Sequence, residues 1–199
     1  MTPYLASVSW YAQWLGARLD GLSGDEAVSV ANKATTVSGK DFVRCRIKGQ
    51  SAPTLLTLPV EGGSSRLKRT SGIPRLSLSE HGNWRHSHMG ALNAAYGRSP
   101  YFQHFMPMLE KVYASGEKSL EGFNGLVHLA LVGMLFGDTS PEAVMQSVRI
   151  YPPQGRAGER GKEIACGLNP GISVIDLLMT HGRESLLPLL SLNSHSTLP

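Results

Sequence analysis

A chain of 199 residues, 41% apolar and 17% charged, is long enough for one domain with a real core and is globular rather than disordered. Its formal charge of +4 favours an anionic small molecule as partner and is far below the basic density of a nucleic-acid binder. Two cysteines, Cys45 and Cys166, in no ligand spacing exclude a disulfide framework or zinc ribbon and fit a reducing cytoplasm. No cationic signal-peptide start is present, and the longest apolar stretch (125–137) contains His128 and is too short to span a bilayer. The chain reads as cytoplasmic, without a membrane span.

In chain order, residues 7–19 predict a helix, with Trp10 and Trp14 on one face and Tyr11 and Leu15 on the next. Residues 26–31, 42–47, 54–60 and 73–79 predict strands. In "FVRCRI", Val43, Cys45 and Ile47 face one way, against Phe42, Arg44 and Arg46. Leu56, Leu58 and Val60 oppose Leu55 and Thr57, and Pro59 places that end at an edge. Short connections favour antiparallel pairing, and 61–72 reads as a flexible basic turn region.

Asn83 predicts the cap of a helix running to Tyr96, with Gly97 as its stop. Ser99-Pro100 predicts the start of the next helix, interrupted or kinked at Pro107. Ser119 predicts a helix through Phe136 closed by Gly137, and Ser140-Pro141 another short one. Residues 152–163, "PPQGRAGERGKE", read as a mobile loop. Ser173 and Asp176 have capping-box spacing before a helix closed by Gly182, and residues 191–199 read as a frayed tail. The expected fold class is α/β of the α+β-like kind. A small mixed sheet with flanking helices (1–82) would carry a helical part (83–190), together one domain.

The chemistry-bearing stretch is "HGNWRHSH", 81–88. On a strand, His86 and His88 would share a face and could hold a metal. At a helix start, residues two apart diverge by about 200°, and no acid lies at a helpful spacing, so no metal is expected. On the helix, Trp84, His88, Leu92 and Tyr96 form one inward stripe. His88 is then either a core histidine bonded to a backbone carbonyl or part of a site. In the site reading, free amides at the helix start, Arg85 and the Arg44/Arg46 face would hold an anion, with His81 as acid or base. Asp176 has the same two readings, cap or ligand. No Walker or Rossmann glycine pattern occurs, so no nucleotide-binding motif is read and no cofactor is expected.

The run "LPVEGG…LSEHGNWRHSHMGALNAAYGRSPYF" resembles the WbqC-like proteins of the Bacteroidetes type. That family has Trp, His, an aliphatic residue and Tyr at four-residue steps, followed by a Pro-Tyr-Phe-like tripeptide. Here these are Trp84, His88, Leu92, Tyr96 and Pro100-Tyr101-Phe102. "PYLASVSWYAQWL" (3–15), Leu120 with Asn124, and "GISVIDLLMTHGRESL" (171–186) are similar to further family segments. The resemblance implies surface-polysaccharide (O-antigen-type) biosynthesis, with transfer of an acyl or aminoacyl group to an aminosugar nucleotide. His81 or His88 would be the base; Arg44, Trp84, Arg85 and Asp176 would bind substrate. The rival reading is a non-catalytic ligand-binding or assembly protein.

Three departures go with the resemblance. Only "MTP" precedes Tyr4, where relatives place a strand, which predicts an open sheet edge near 26–31 or a homodimer through it. Val43 and Ser38-Gly39 stand where Asn and Lys-Gln are expected, and "RAGERGKE" replaces a Tyr-x-Gln-x-Phe motif.

Overall fold

The computed structural model describes residues 1–63, 67, 75–137 and 155–194. Helix α1 (Val8–Leu19) starts where the Ser7 hydroxyl accepts the Trp10 amide, and it buries Trp10, Tyr11, Trp14 and Leu15. It ends in a Schellman motif: Leu22 N–H donates to Ala17 C=O and Gly21 N–H to Arg18 C=O, with Gly21 at φ 94°.

Residues 26–31 are not a strand. They lie inside helix α2 (Gly24–Ala34), which opens with a full capping box: Ser23 Oγ accepts the Glu26 amide and Glu26 returns to the Ser23 amide. Val28 and Val30 mimic strand alternation, yet Ala27 and Ala31, four apart, are the buried pair and Val30 is 39% exposed. With these residues helical, the expected strand edge for dimerisation is absent there. Helix α2 also closes in a Schellman motif, with Thr36 in the left-handed position at φ 50°.

Strands β1 (Arg44–Ile47) and β2 (Thr54–Thr57) pair antiparallel with Arg44 opposite Thr57 and Ile47 opposite Thr54. Val43, Cys45, Ile47, Leu56 and Leu58 are buried beneath, while Leu55 and Arg46 face out. Beyond β2, Pro59 offers only its carbonyl, which accepts the Ser79 amide. Val60 and Leu78 meet in one isolated bridge, Ser77 and Ser119 in another. Among the described residues the sheet is therefore two-stranded and antiparallel, not mixed. Residues 73 and 74 of the fourth expected strand, residues 64–66 and 68–72 of the turn region, and Ser140-Pro141 lie outside the described residues.

Helix α3 (Trp84–Tyr96) buries Trp84, His88, Leu92 and Tyr96, the four-residue stripe read from the sequence. Asn83 occupies the cap position without a side-chain bond, and Gly97 ends the helix at φ −56°, outside the left-handed region. Helix α4 (Phe102–Tyr113) starts from Tyr101 rather than Ser99-Pro100, which form the turn before it, and it runs through Pro107 as one helix. Ser119 caps α5 (Leu120–Phe136) by accepting the Gly122 amide, and Gly137 closes it at φ 65°.

Residues 155–163, expected as loop, belong to helix α6 (Gly155–Cys166). Gly161 serves a close crossing: a Cβ there would stand 2.8 Å from the Leu187 carbonyl oxygen of α8 (Leu186–Ser194). Residues 191–194, expected as tail, are the last turn of α8. Helix α8 also packs on α1, where Asn193 fills the space a side chain at Gly16 would need. Between α6 and α8 lie α7 (Val174–His181) and a 3-10 turn (Gly182–Ser185).

Candidate functional site

The parity of the small sheet decides what faces what. Leu58 N–H donates to Val43 C=O, which makes the Arg44–Thr57 and Arg46–Leu55 pairs the non-hydrogen-bonded kind. The peptide groups of Arg44, Arg46 and Thr57 therefore point away from the partner strand. Three contacts agree. Ser173 N–H donates to Arg46 C=O at 2.8 Å, the Tyr96 hydroxyl accepts the Lys48 amide at 3.1 Å, and the His88 imidazole bonds to the Thr57 carbonyl.

Along the outer edge of β1 runs a cleft of about 460 Å³. The N-terminal segment from Pro3 to Ser9 forms one wall; residues 35–41, Arg44 and Arg46 form the other. Two ties hold it open. Tyr4 N–H donates to Asp41 C=O at one end, and Ser173, bonded to Arg46, bridges to Ser7 at the other. Lys40, Arg44 and Arg46 supply positive charge. The carboxylate present, Asp41, is turned onto Ser38, accepting both its amide and its hydroxyl at 2.7 Å. Of the two non-glycine residues with positive φ among the described residues, Leu5 (41°) lines the cleft, while Thr36 (50°) closes α2 and does not line it. Backbone strain of this kind gathers where a segment is held for a purpose.

Arg44 carries the sharpest signal. Its Nε is buried with no hydrogen-bond partner among the described residues. It lines this cleft and also a second concavity of about 300 Å³ bounded by Thr57, Pro59, Ser79 and His81. His81, exposed in the bend before α3, lines this second concavity with Arg44 but does not line the cleft.

His88 lies elsewhere. It is 6% exposed and lines neither opening. Its Nδ1 is 2.9 Å from the Tyr4 hydroxyl, which in turn bonds to the Tyr113 hydroxyl. With the other ring nitrogen donating to Thr57 C=O, Nδ1 accepts from Tyr4, and Tyr4 accepts from Tyr113. Burial lowers the His88 pKa to about 4, against a smaller upward pull from the Thr57 carbonyl. The result is a neutral imidazole with both nitrogens engaged, covering the outer edge of β2.

The remaining sequence candidates are held apart. Trp84 is buried and donates its indole N–H to Ser79 C=O at 3.0 Å. Arg85 donates to the Tyr113 and Glu117 carbonyls at 3.0 and 2.8 Å, lies 4.5 Å from the Trp84 ring centroid, and has Glu80 at 3.9 Å. Asp176 does not return to the cap amide: the Ser173 hydroxyl takes the Ile175 amide, and the Ser173 amide goes to Arg46. The Asp176 carboxyl instead meets the Tyr96 hydroxyl, and burial raises its pKa against the opposing pull of Lys48. Tyr96 and Trp84 are the two ends of α3, about 18 Å apart at 1.5 Å per residue. So Arg44 and His81 share a concavity, while His88, Trp84, Arg85 and Asp176 do not join it. Lys40, Ser7 and the strained Leu5 were missed as candidates, because only the fold brings residues 3–9 beside 35–46.

Among the described residues, no group of three or more His, Cys, Asp or Glu is placed to hold a metal ion, and no helix is long and apolar enough to cross a membrane. His86 is exposed while His88 is buried, so the two diverge. In comparison with known proteins, the model of the WbqC-like protein family matches residues 29–151, more than half of the chain. No curated protein and no solved structure matches.

Proposed function

We propose a function from one premise: the chain belongs to the WbqC-like protein family. The reading is that it binds an anionic small molecule of the nucleotide-sugar class in the cleft along β1, in the cytoplasmic part of surface-polysaccharide biosynthesis. The observation that carries it is Arg44, with a buried unpartnered Nε among the described residues, set between Lys40 and Arg46 while Asp41 is occupied by Ser38. Guanidinium and ammonium groups without internal carboxylate partners suit phosphate.

A second reading, transfer of an acyl or aminoacyl group, is favoured by His81 standing beside Arg44. There His81 would take the proton from the acceptor amine as its nitrogen attacks the carbonyl of an activated acyl donor, whose leaving group departs with the bonding pair. His88 is poorly suited to that role, since both its nitrogens are engaged.

The test is calorimetric titration with uridine-diphosphate sugars and with the same sugars lacking the diphosphate. Binding of the nucleotide forms alone, weakened at least about tenfold by Arg46→Glu with Lys40→Ala, is expected. Equal binding of neutral sugars, or no effect of the charge changes, would refute it. Product formation with an acyl donor, lost in His81→Ala but not in Tyr101→Ala, would select the transferase reading.

A further inference from the structure

Helix α1 starts on one wall of the cleft, yet its first main-chain donors are engaged. Val8 N–H donates to Ile172 C=O, Ser9 N–H to Pro170 C=O and Trp10 N–H to Ser7 Oγ. Those amides are not open to a ligand. The hydroxyls are. Ser7 Oγ and Ser9 Oγ lie 3.0 Å apart, and both residues line the cleft. A hydrogen bond between two hydroxyls takes up one proton and leaves the other. If Ser7 donates, the Ser9 O–H is left over. If Ser9 donates, Ser7 accepts from both Ser9 and Trp10 and keeps its own O–H. Under either order one O–H of the pair has no acceptor among the described residues.

The opposite wall carries the charge. Ser173 pairs with Ser7 on one side and donates to Arg46 C=O on the other. Ser7 and β1 are therefore two strand spacings apart, roughly 10 Å between backbones. Arg44 and Arg46, alternate residues of β1, line the far side, and Arg44 Nε is buried without a partner among the described residues. Asp41 is bonded to Ser38 at the other end, so it does not neutralise them. A hydroxyl donor thus faces guanidinium groups across a gap. The two oxygens of a carboxylate lie in one plane and turn to one side. The oxygens of a phosphoryl group diverge tetrahedrally and accept from both walls together. We infer that the Ser7–Ser9 hydroxyl pair donates to a phosphoryl group whose other oxygens are held by Arg44 and Arg46. The pair is then specificity-determining: it selects phosphoryl over carboxylate ligands. This rests on the reading that an anion occupies the cleft and deepens it. The phosphoryl group has two sources, the diphosphate of a nucleotide sugar or a simple sugar phosphate.

The test is calorimetric titration of the full chain with UDP-glucose, glucose 1-phosphate and malonate, the last two both dianions at pH 8. Glucose 1-phosphate should bind at least about tenfold tighter than malonate. Ser7→Gly with Ser9→Ala removes both hydroxyls, and glycine remains an acceptable helix cap. This variant should weaken both phosphorylated probes by about tenfold. Ser7→Gly with Ser9→Thr retains one hydroxyl and should stay within about twofold of the wild type. Ser9→Asp places an acid in the first turn of α1, which favours the helix, so its melting temperature should not fall. Its affinity for both phosphorylated probes should drop at least about tenfold.

Unchanged affinity after Ser7→Gly with Ser9→Ala, an equal loss in the threonine variant, or malonate matching glucose 1-phosphate overturns the hydroxyl's role and leaves the anion reading intact. Should the glycine variants fail to fold, unchanged affinity in Ser9→Asp overturns it as well. No binding of any probe to the wild type overturns both. Glucose 1-phosphate binding as tightly as UDP-glucose supports the phosphoryl subsite and overturns the nucleotide-sugar reading in favour of a sugar phosphate.

Discussion

The Tyr4 hydroxyl lies 2.9 Å from His88 Nδ1, joining the fourth residue of the chain to the middle of α3. This bond holds the N-terminal wall of the cleft against the helix that covers the sheet. Tyr4 is 1% exposed and lines the cleft, while His88 bonds to Thr57, directly opposite Arg44 across the ladder. Removing the donor alone leaves a buried imidazole nitrogen and the Tyr113 hydroxyl without their partner. Tyr4→Phe should therefore cost about 1–3 kcal/mol, and His88→Ala about the same or more with its small cavity. For a chain of this size that is a fall in Tm of roughly 2–12 °C. A Tyr4→Phe protein melting with the wild type would show that the hydroxyl chain contributes nothing.

The pH dependence follows from two histidines. Burial lowers both His88 and His128 from 6.5 to about 4, and His128 bonds to the Tyr11 hydroxyl at 2.9 Å. Between those values the unfolded chain binds protons that the folded chain does not. The stabilisation is thus complete above pH 6.5 and is lost as pH falls towards 4. Each histidine can contribute on the order of 3 kcal/mol across that window. Urea denaturation at pH 8, 6, 5 and 4.5 should show stability dropping below 6.5. A flat profile down to pH 5 would contradict the buried neutral imidazoles.

The Arg85 guanidinium is engaged within the protein. Its two carbonyl bonds and its place over Trp84 and Phe123 tie the start of α3 to the turn after α4. Lysine lacks the fork needed to reach both carbonyls. Arg85→Lys should lower stability by about 1–2 kcal/mol while leaving the affinity for a nucleotide sugar within about twofold. A large loss of affinity with unchanged melting would place Arg85 in the site after all.

Thr36 is a β-branched residue in the left-handed position of a Schellman motif, exposed to solvent. Glycine occupies the equivalent position at the end of α1, Gly21. Thr36→Gly should raise stability by about 0.5–1 kcal/mol, read from the urea midpoint. A destabilised variant would mean that the Thr36 side chain makes a contact worth more than its strain.

How much of this was legible follows element by element. The α3 stripe was readable because apolar and aromatic residues recur every four positions and no strand can bury that set together. The alternation of 42–47 and 54–60 was readable for the matching reason at period two. Helix α2 was misread because Val28 and Val30 imitate that alternation, although the Ser23–Glu26 capping box announced a helix start. Helix α6 was misread because its glycines look like loop glycines; only the nearness of α8 shows that Gly161 is there to let two backbones approach.

The sequence by itself determined the family, the main periodicities and the candidate cation Arg44, because these depend on residue types at short spacing. Only the tertiary structure decided which candidates meet. From sequence His88 reads as a core histidine or, less readily, as a base, until Tyr4, 84 positions away, and Thr57 are seen to occupy both its nitrogens. Arg44 acquires a cleft only because the fold brings residues 3–9 beside 35–46, tied at Asp41 and Ser173. Spacing along a chain specifies which side chains share a face. Which hydrogen bonds are already made, and which are left open for a ligand, depends on segments far apart in sequence being packed together.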